Sequence, residues 1–260
     1  MKNGLKIVTW NAFSLRARID FLAAYLDAEQ PDVIAIQEVK LEEHAVPVEV
    51  FESRGYHVAI HGQKQWNGVM IASKEPITDV SKGLPGGDDG QARLIAGTTF
   101  GVRFVNLYCP QGSSVSSPKF AYKLRFFDTL IDWLTANYTP TEPLCVLGDI
   151  NIAPNPEDVY SVEKMSGVPT YHPLEHERWH KLLDWGLHDA VLPFVEPGKF
   201  SFWDYQRGAF HKNQGFRIDH LLVTEPLRKR VRDAFIQRPW RKKQGDLKPS
   251  DHCPVGIVVD

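Results

Sequence analysis

Short apolar runs and amphipathic stretches alternate along the whole chain. Leu5–Trp10 and Val33–Gln37 have the length and β-branched content of buried strands. Between them Ile19, Leu22, Ala23 and Leu26 fall on one side of a helix predicted over Ala17–Ala28. Tyr56–Ile60 and Gly68–Ala72 predict a strand pair around the polar turn 61–67, and Ala92–Phe100 with Val102–Cys109 predict a hairpin about Gly101. Leu124, Phe127, Leu130, Ile131 and Leu134 mark a helix over Phe120–Ala136, followed by a buried strand at Leu144–Leu147. Residues 151–170 carry no period, and His176–Trp185 is a further helix. Strands are expected again at Phe200–Tyr205, Ile218–Val223, Val231–Ile236 and Pro254–Val259. Alternation of this kind, without a low-complexity linker or short-period repeat, predicts one α/β domain over residues 1–260, with both faces of its sheets covered.

A second pattern lies at the ends of these runs. Asn11, Glu38, Tyr108, Asp149, Asp219 and the pair Asp251-His252 each stand where an apolar run stops. One polar residue there is ordinary turn chemistry. So many carboxylates, with asparagines, a tyrosine and a histidine, point to a site built where strand ends converge. In LGDINIAP (147–154), Asp149 and Asn151 are two apart. On an extended chain they share a face, where the Asn151 amide would donate to the Asp149 carboxylate.

Composition excludes more than it identifies. The chain has 43% hydrophobic and 24% charged residues, ordinary for a globular protein of a size that needs no staples. Its cysteines, Cys109, Cys145 and Cys253, are odd in number and widely spaced, as expected of reduced thiols. No run approaches the ~18 apolar residues of a membrane span, and the first apolar run is too short for a signal peptide. A soluble, cytoplasmic protein without membrane contact is expected. The net charge of −2 hides an asymmetry: residues 228–248 hold nine Lys/Arg against Asp233 and Asp246, a net +7. Within it Arg238, Arg241, Lys242 and Lys243 are expected to contact phosphates; a solvated charged face is the other reading.

Two metal chemistries compete. His176-Glu177-Arg178-Trp179-His180 matches the H-E-x-x-H pattern of zinc hydrolases, with His172 a further imidazole at the same spacing. Against it stand the charged Arg178 and Lys181 and the break that Pro173 imposes. The other set is made of oxygen donors: Glu38 and Asp251, with asparagine support and no cysteine, suit Mg²⁺ or Mn²⁺. Such a cation pairs with substrate phosphate and points to phosphoester hydrolysis.

Thr9-Trp10-Asn11, Ile36-Gln37-Glu38-Val39-Lys40, Asn106–Gly112, Leu147–Asn151, Gly215–Asp219 and Ser250–Pro254 occur in order across nearly the whole chain. Together they resemble the successive signatures of the exonuclease III family of apurinic/apyrimidinic endonucleases. The resemblance implies a four-layer α/β sandwich, two mixed sheets face to face flanked by helices. It implies a Mg²⁺-dependent nuclease, with Mn²⁺ as substitute, acting as a monomer on double-stranded DNA at abasic sites or 3′ ends. Relatives of the same fold act on RNA or phospholipid headgroups, and a DNA-binding module without catalysis is a third reading. The Gly215–Asp219 context, the basic segment and the full set of catalytic residues favour the DNA nuclease.

Carried over by position, the resemblance makes Glu38 the principal metal ligand, with Asp251 and Asn11 supporting the metal region. Asp149 would deprotonate the attacking water, fixed by Asn151. His252 would face the phosphate with Asp219 holding its imidazole, and Tyr108 would complete the ring. Gln111, Phe202, Phe216 and Ile218 would bind substrate, the last three around a flipped-out abasic sugar. Phe216 and Ile218, two apart, would share a face in a strand. One departure stands out. Phe13 occupies a position where the family has Asn or Asp, and a phenyl ring offers no oxygen, so a single cation is expected.

Overall fold

The computed structural model describes residues 4–260. Among them, one sheet holds β1 (Leu5–Asn11), β2 (Val33–Gln37), β3 (His57–His61), β4 (Val69–Ser73), β11 (Val231–Ile236) and β12 (Val255–Val259), in the order β11-β12-β1-β2-β4-β3. The other holds β5 (Thr78–Lys82), β6 (Leu94–Thr99), β7 (Val102–Tyr108), β8 (Leu144–Asp149), β9 (Leu187–Asp189) and β10 (Asp219–Thr224), in the order β5-β6-β7-β8-β10-β9. Both are mixed. β1 and β2 run parallel, as do β7 and β8, whereas β12 and β10 run antiparallel to them. The long helices are α1 (Leu15–Glu29), α3 (Pro118–Asn137) and α5 (Pro173–Asp184); α2 (Glu49–Glu52), α4 (Val162–Met165) and α6 (Glu225–Arg228) are single turns. No helix among the described residues is long and apolar enough to cross a membrane.

Strand period two explains the layering. Ile7, Val33, Ile71, Phe104, Leu147 and Leu221 point between the sheets into a shared core. Val8, Trp10, Ile34 and Ile36 face outward beneath Phe21, Leu22 and Tyr25 of α1. On the far side Val105, Val146 and Leu222 meet Phe126, Phe127 and Leu130 of α3 and Trp179 of α5. The result is the α/β/β/α sandwich expected. With both faces covered, the central strands read as unbroken apolar runs.

A buried polar tie sets the two sheets in register. Asn106 on β7 donates to the carbonyls of Ile36 (3.0 Å) and Met70 (2.8 Å) in the opposite sheet and accepts from Gln37 Nε2 at 2.7 Å. Groups of this kind are tolerated between sheets only when paired. Here the pairing brings the ends of β1, β2, β7 and β8 to one edge of the sandwich.

Several elements differ from expectation. Phe200–Tyr205 is not a strand: Phe202 makes only isolated bridges to Phe216 and His252. Its aromatic content serves a small core of Phe200, Trp203 and Cys253. The edge strand β5 has no apolar alternation to betray it, being exposed at every position. Helix α5 starts three residues before His176, because Pro173 occupies its first turn and His172 caps it, where proline costs nothing.

Beneath the second sheet's edge, Arg217 is buried with its guanidinium on Asp158 (2.5 and 3.0 Å) and Asp189 (2.7 Å). Burial alone would push the Asp189 carboxyl up, but Arg217 and His220 pull it well below the ordinary carboxylate range. A depressed folded-state value stabilises the protein above the unfolded pKa of about 3.9, and that stability is lost as pH falls further. Asp189→Asn leaves Arg217 short of a partner and should lower Tm by roughly 10 °C at pH 7. In thermal melts from pH 7 to 3 the gap to the unmodified protein should narrow below about pH 4, where Asp189 of the unfolded chain takes up a proton while the folded carboxylate stays ionised. A gap constant over that range would exclude Asp189 as the titrating group.

Candidate active site

β8 delivers Asp149 and then turns sharply. Gly148 has φ +137°, and a Cβ there would lie 2.0 Å from Leu107 O, so only glycine lets β7 and β8 close up beneath the carboxylate. Asn151 follows in the left-handed region, φ 56°, so it does not continue the strand face as its spacing predicts. Its backbone N–H, not its amide, donates to Asp149 Oδ1 (3.1 Å), while the amide is spent on Cys109 O at 3.0 Å. The side-chain amide on Asp149 comes instead from Asn11 at the end of β1. Asn11 Nδ2 reaches Asp149 Oδ2 at 2.9 Å and Glu38 Oε1 at 3.0 Å, bridging two carboxylates from opposite sheets.

Antiparallel β10 begins in register with the end of β8, Asp219 opposite Asp149. Asp219 Oδ2 accepts from His252 Nδ1 at 2.8 Å, which leaves Nε2 3.8 Å from Asp149 Oδ2. Burial opposes charge on His252, but Asp219 and then Asp149 outweigh it and raise the imidazole well above its ordinary value. The ring is therefore an Nε2–H donor near neutrality. Asp149 is raised too, first by burial and then by Asp219, with His252 acting in the opposite sense. Burial, Glu38 and Asp149 raise the Tyr108 phenol, keeping it a donor.

Most of these groups face one cavity of about 290 Å³, with Asn11 and Asp219 buried behind it. Glu38, Tyr108, Gln111, Asp149, Asp251 and His252 line its polar side. Met165, Val168, Phe202, Phe216 and Ile218 add an apolar wall, with the Phe202 ring 4.8 Å from that of His252. Phe216 and Phe202 are half-buried, their rings 6.1 Å apart, and Ile218 is buried behind them. Because β10 starts only at Asp219, Phe216 and Ile218 reach the wall from the loop before it rather than from a strand face.

The donor set fits a hard cation. Among the described residues, the cations in ion-pair contact with Glu38, Asp149 and Asp219 are Lys40, 2.6 Å from Glu38, and His252. Burial and the charge of Glu38 raise Asp251, against the pull of His252; a divalent ion would reverse that balance. Glu38, once released from Lys40, and Asp251 are the oxygen donors that would hold it. Asp149, Asp219 and His252 also approach within ligand distance of one another, but Nδ1 of His252 is taken by Asp219, so these three read as an acid–base set. The Phe13 ring lies 4.1 Å from the Lys40 ammonium and 5.8 Å from Tyr205, filling the side where a further oxygen ligand would stand.

The H-E-x-x-H histidines serve the fold. His172 Nδ1 accepts from Leu174 N, His176 Nε2 lies 3.0 Å from Ala153 O, and His180 is exposed. Glu177 pairs with Arg178 on the surface. The basic segment also divides. Arg228 and Lys229 pair with Glu225, and Arg230 holds the Asp260 carbonyl. Arg241 is buried, donating to the carbonyls of Asp251 and Trp203, while Arg238 donates to Phe210 O. Arg238 and Arg241 are thus structural, and Lys242 and Lys243 remain exposed.

One residue of the site escaped sequence reasoning altogether. Lys123 on α3 is fully buried, paired with the equally buried Glu175 of α5. Its ammonium also donates to Asn151 O (2.7 Å) and Gln111 O (3.3 Å), and Glu175 accepts from Thr170 N and His172 N. A single ion pair thus anchors three loops that line the cavity. The signal was present: Lys123 interrupts the apolar face between Phe120 and Phe127.

The profile of the endonuclease/exonuclease/phosphatase family matches residues 8–252. Exodeoxyribonuclease III of Haemophilus influenzae is 35% identical over 265 residues, covering 96% of this chain and 98% of the relative. A solved structure of the 3′ phosphatase NExo from Neisseria, bound to a product DNA hairpin, aligns with TM-score 0.93 at 35% identity, covering 98% of this chain and 99% of that one. An AP endonuclease from Archaeoglobus fulgidus aligns with TM-score 0.91 at 34% identity, with the same coverage. Fold and site together define a metal-dependent phosphoesterase. The chain belongs to the endonuclease/exonuclease/phosphatase family, in its exonuclease III branch.

Proposed function

We propose that this chain, acting as one domain and as a monomer, is a Mg²⁺-dependent DNA repair nuclease that hydrolyses phosphodiesters at 3′ ends and on the 5′ side of abasic sites. The observation that carries this reading is the pair Asp149 and His252, 3.8 Å apart in a cavity lined by oxygen donors and by apolar side chains. Asp149, held by Asn11 and the Asn151 N–H, accepts the proton of the attacking water. His252, oriented by Asp219, donates Nε2–H to the phosphoryl oxygen as charge builds, and Tyr108 donates beside it. A Mg²⁺ ion on Glu38 and Asp251, with Asn11 in support, would neutralise phosphate charge when bound. Gln111 and Asn151 lie on the phosphate side. The wall of Phe202, Phe216 and Ile218 takes a sugar without its base, whose extrusion costs little stacking. The names of the relatives support DNA as substrate, since they include an exodeoxyribonuclease, a 3′ phosphatase on a DNA hairpin and an AP endonuclease.

The test is a panel of end-labelled duplexes, abasic, 3′-phosphorylated, recessed at 3′ and intact, with Mg²⁺, Mn²⁺, Zn²⁺ or EDTA. Cleavage of the first three with Mg²⁺ or Mn²⁺, and none in EDTA, is expected. Activity restored by Zn²⁺ and not by Mg²⁺ would overturn the assignment.

Phe216→Ala should cut abasic-site incision at least tenfold more than release from a recessed 3′ end, the scale of a lost apolar contact to a substrate. Equal losses on both, or a large fall in Tm, would make Phe216 a core residue.

A further inference from the structure

Of the residues in 228–248, Arg241, Lys242, Lys243 and Lys248 line a cavity of about 520 Å³ beside the active site. Asp204 stands on the ridge between the two, lining both. Contacts also run across that ridge: Lys40 reaches both Glu38 and the Phe13 ring, and Phe13 abuts Tyr205, which lines the second cavity. Lys242, Lys243 and Lys248 border this cavity as exposed side chains. Arg18 lies at its inner edge, donating to Tyr205 Oη at 3.0 Å and leaving a buried Nε without a partner. Tyr205 is 46% exposed, with the Arg241 guanidinium 4.8 Å over its ring and Phe13 5.8 Å from it, and its hydroxyl donates to Pro249 O at 2.7 Å, so the ring is held in a fixed orientation.

We propose that this cavity is a second nucleic-acid subsite, which takes one unpaired nucleotide flanking the scissile phosphate, its base against Tyr205 and its phosphates among Lys242, Lys243 and Lys248. The proposal rests on the nuclease reading of the neighbouring site. Duplex backbone is gripped by cations alone. A fixed, exposed ring within a basic rim is what an unstacked base requires, because every base offers a π face whatever its sequence. The volume admits a nucleotide, and the carboxylate of Asp204 on the ridge keeps phosphates to either side of it. Binding there would favour strand ends that fray over intact duplex.

Metal-free binding of a single-stranded DNA octanucleotide, followed by fluorescence anisotropy against salt, tests the subsite independently of cleavage. Neutralising Lys242, Lys243 and Lys248 together (to Ala) should flatten the plot of log K against log salt by about 1.4, at ~0.7 for each of the two phosphates flanking that nucleotide. Tyr205→Ala should weaken binding roughly five- to hundredfold, whereas Tyr205→Phe, which keeps the ring but releases it from Pro249, should weaken it less. An unchanged salt slope in the triple variant, or equal losses for Tyr205→Ala and Tyr205→Phe, overturns the subsite. If DNA cleavage with Mg²⁺ persists in that case, the nuclease reading stands without it. If both binding effects appear and no DNA of the panel is cut, the subsite stands and the nuclease reading falls.

Discussion

Asp149→Asn is expected to lower turnover about 10²- to 10⁴-fold, the range for loss of a general base. The substitution keeps size and shape. One oxygen can still accept from Asn11 Nδ2 or the Asn151 N–H, so the loop should hold and DNA affinity should survive. What disappears is the group that takes the proton. Its neighbours sharpen the test. Asp219→Asn removes the charge that keeps His252 protonated, so it should reduce turnover and move the alkaline limb of the pH profile to lower pH. Residues acting as a unit lose far less than the product of their separate losses. Asp219→Asn/His252→Asn should therefore be little worse than His252→Asn alone. Multiplicative losses in single-turnover measurements would mean that the two act separately despite their 2.8 Å contact.

Lys123→Met should be almost as damaging without touching substrate. It strands Glu175 in a fully buried position, at a cost of about 3–5 kcal/mol. It also frees the carbonyls of Asn151 and Gln111. Displacing reacting groups by about 1 Å can cost on the order of 10²-fold in rate. Stability and positioning separate in the double variant Lys123→Met/Glu175→Gln. Removing both charges should recover much of the lost Tm, because no uncompensated ion remains, yet kcat should stay low while KM changes less. Full recovery of kcat together with Tm would reduce the pair to a core ion pair with no bearing on the site.

The layers were legible because their central strands are covered on both faces and thus apolar throughout. Elements that carry no such constraint were not: β5 lies exposed at an edge, and Phe200–Tyr205 owes its aromatics to local packing around Trp203. For the site, strand ends placed Asn11, Glu38, Asp149 and Asp219 on one edge, but not which amide reaches which carboxylate. Spacing put the Asn151 amide on Asp149; a left-handed turn, invisible in residue type, gave that contact to Asn11. The basic segment misled at Arg238 and Arg241 for a different reason. Linear charge says nothing of burial, and Arg241 is consumed by the carbonyls of Asp251 and Trp203. Lys123 was missed because a lysine in an amphipathic helix is usually placed at the solvent boundary.

The Asn106 tie between the sheets has a consequence for how such a chain can diversify. Asn11, Glu38, Tyr108 and Asp149 leave strands whose relative heights are locked by that side chain, deep in the region where backbone amides should exchange slowest with solvent. The apolar wall and the Tyr205 cavity are carried by loops between and beyond those strands, outside the lock. Insertions and substitutions there can reshape which damaged end or sugar is admitted while the proton-transfer groups stay in place. Chemistry and selectivity thus sit on parts of the molecule with different mutational tolerance, and new preferences can arise without relearning hydrolysis.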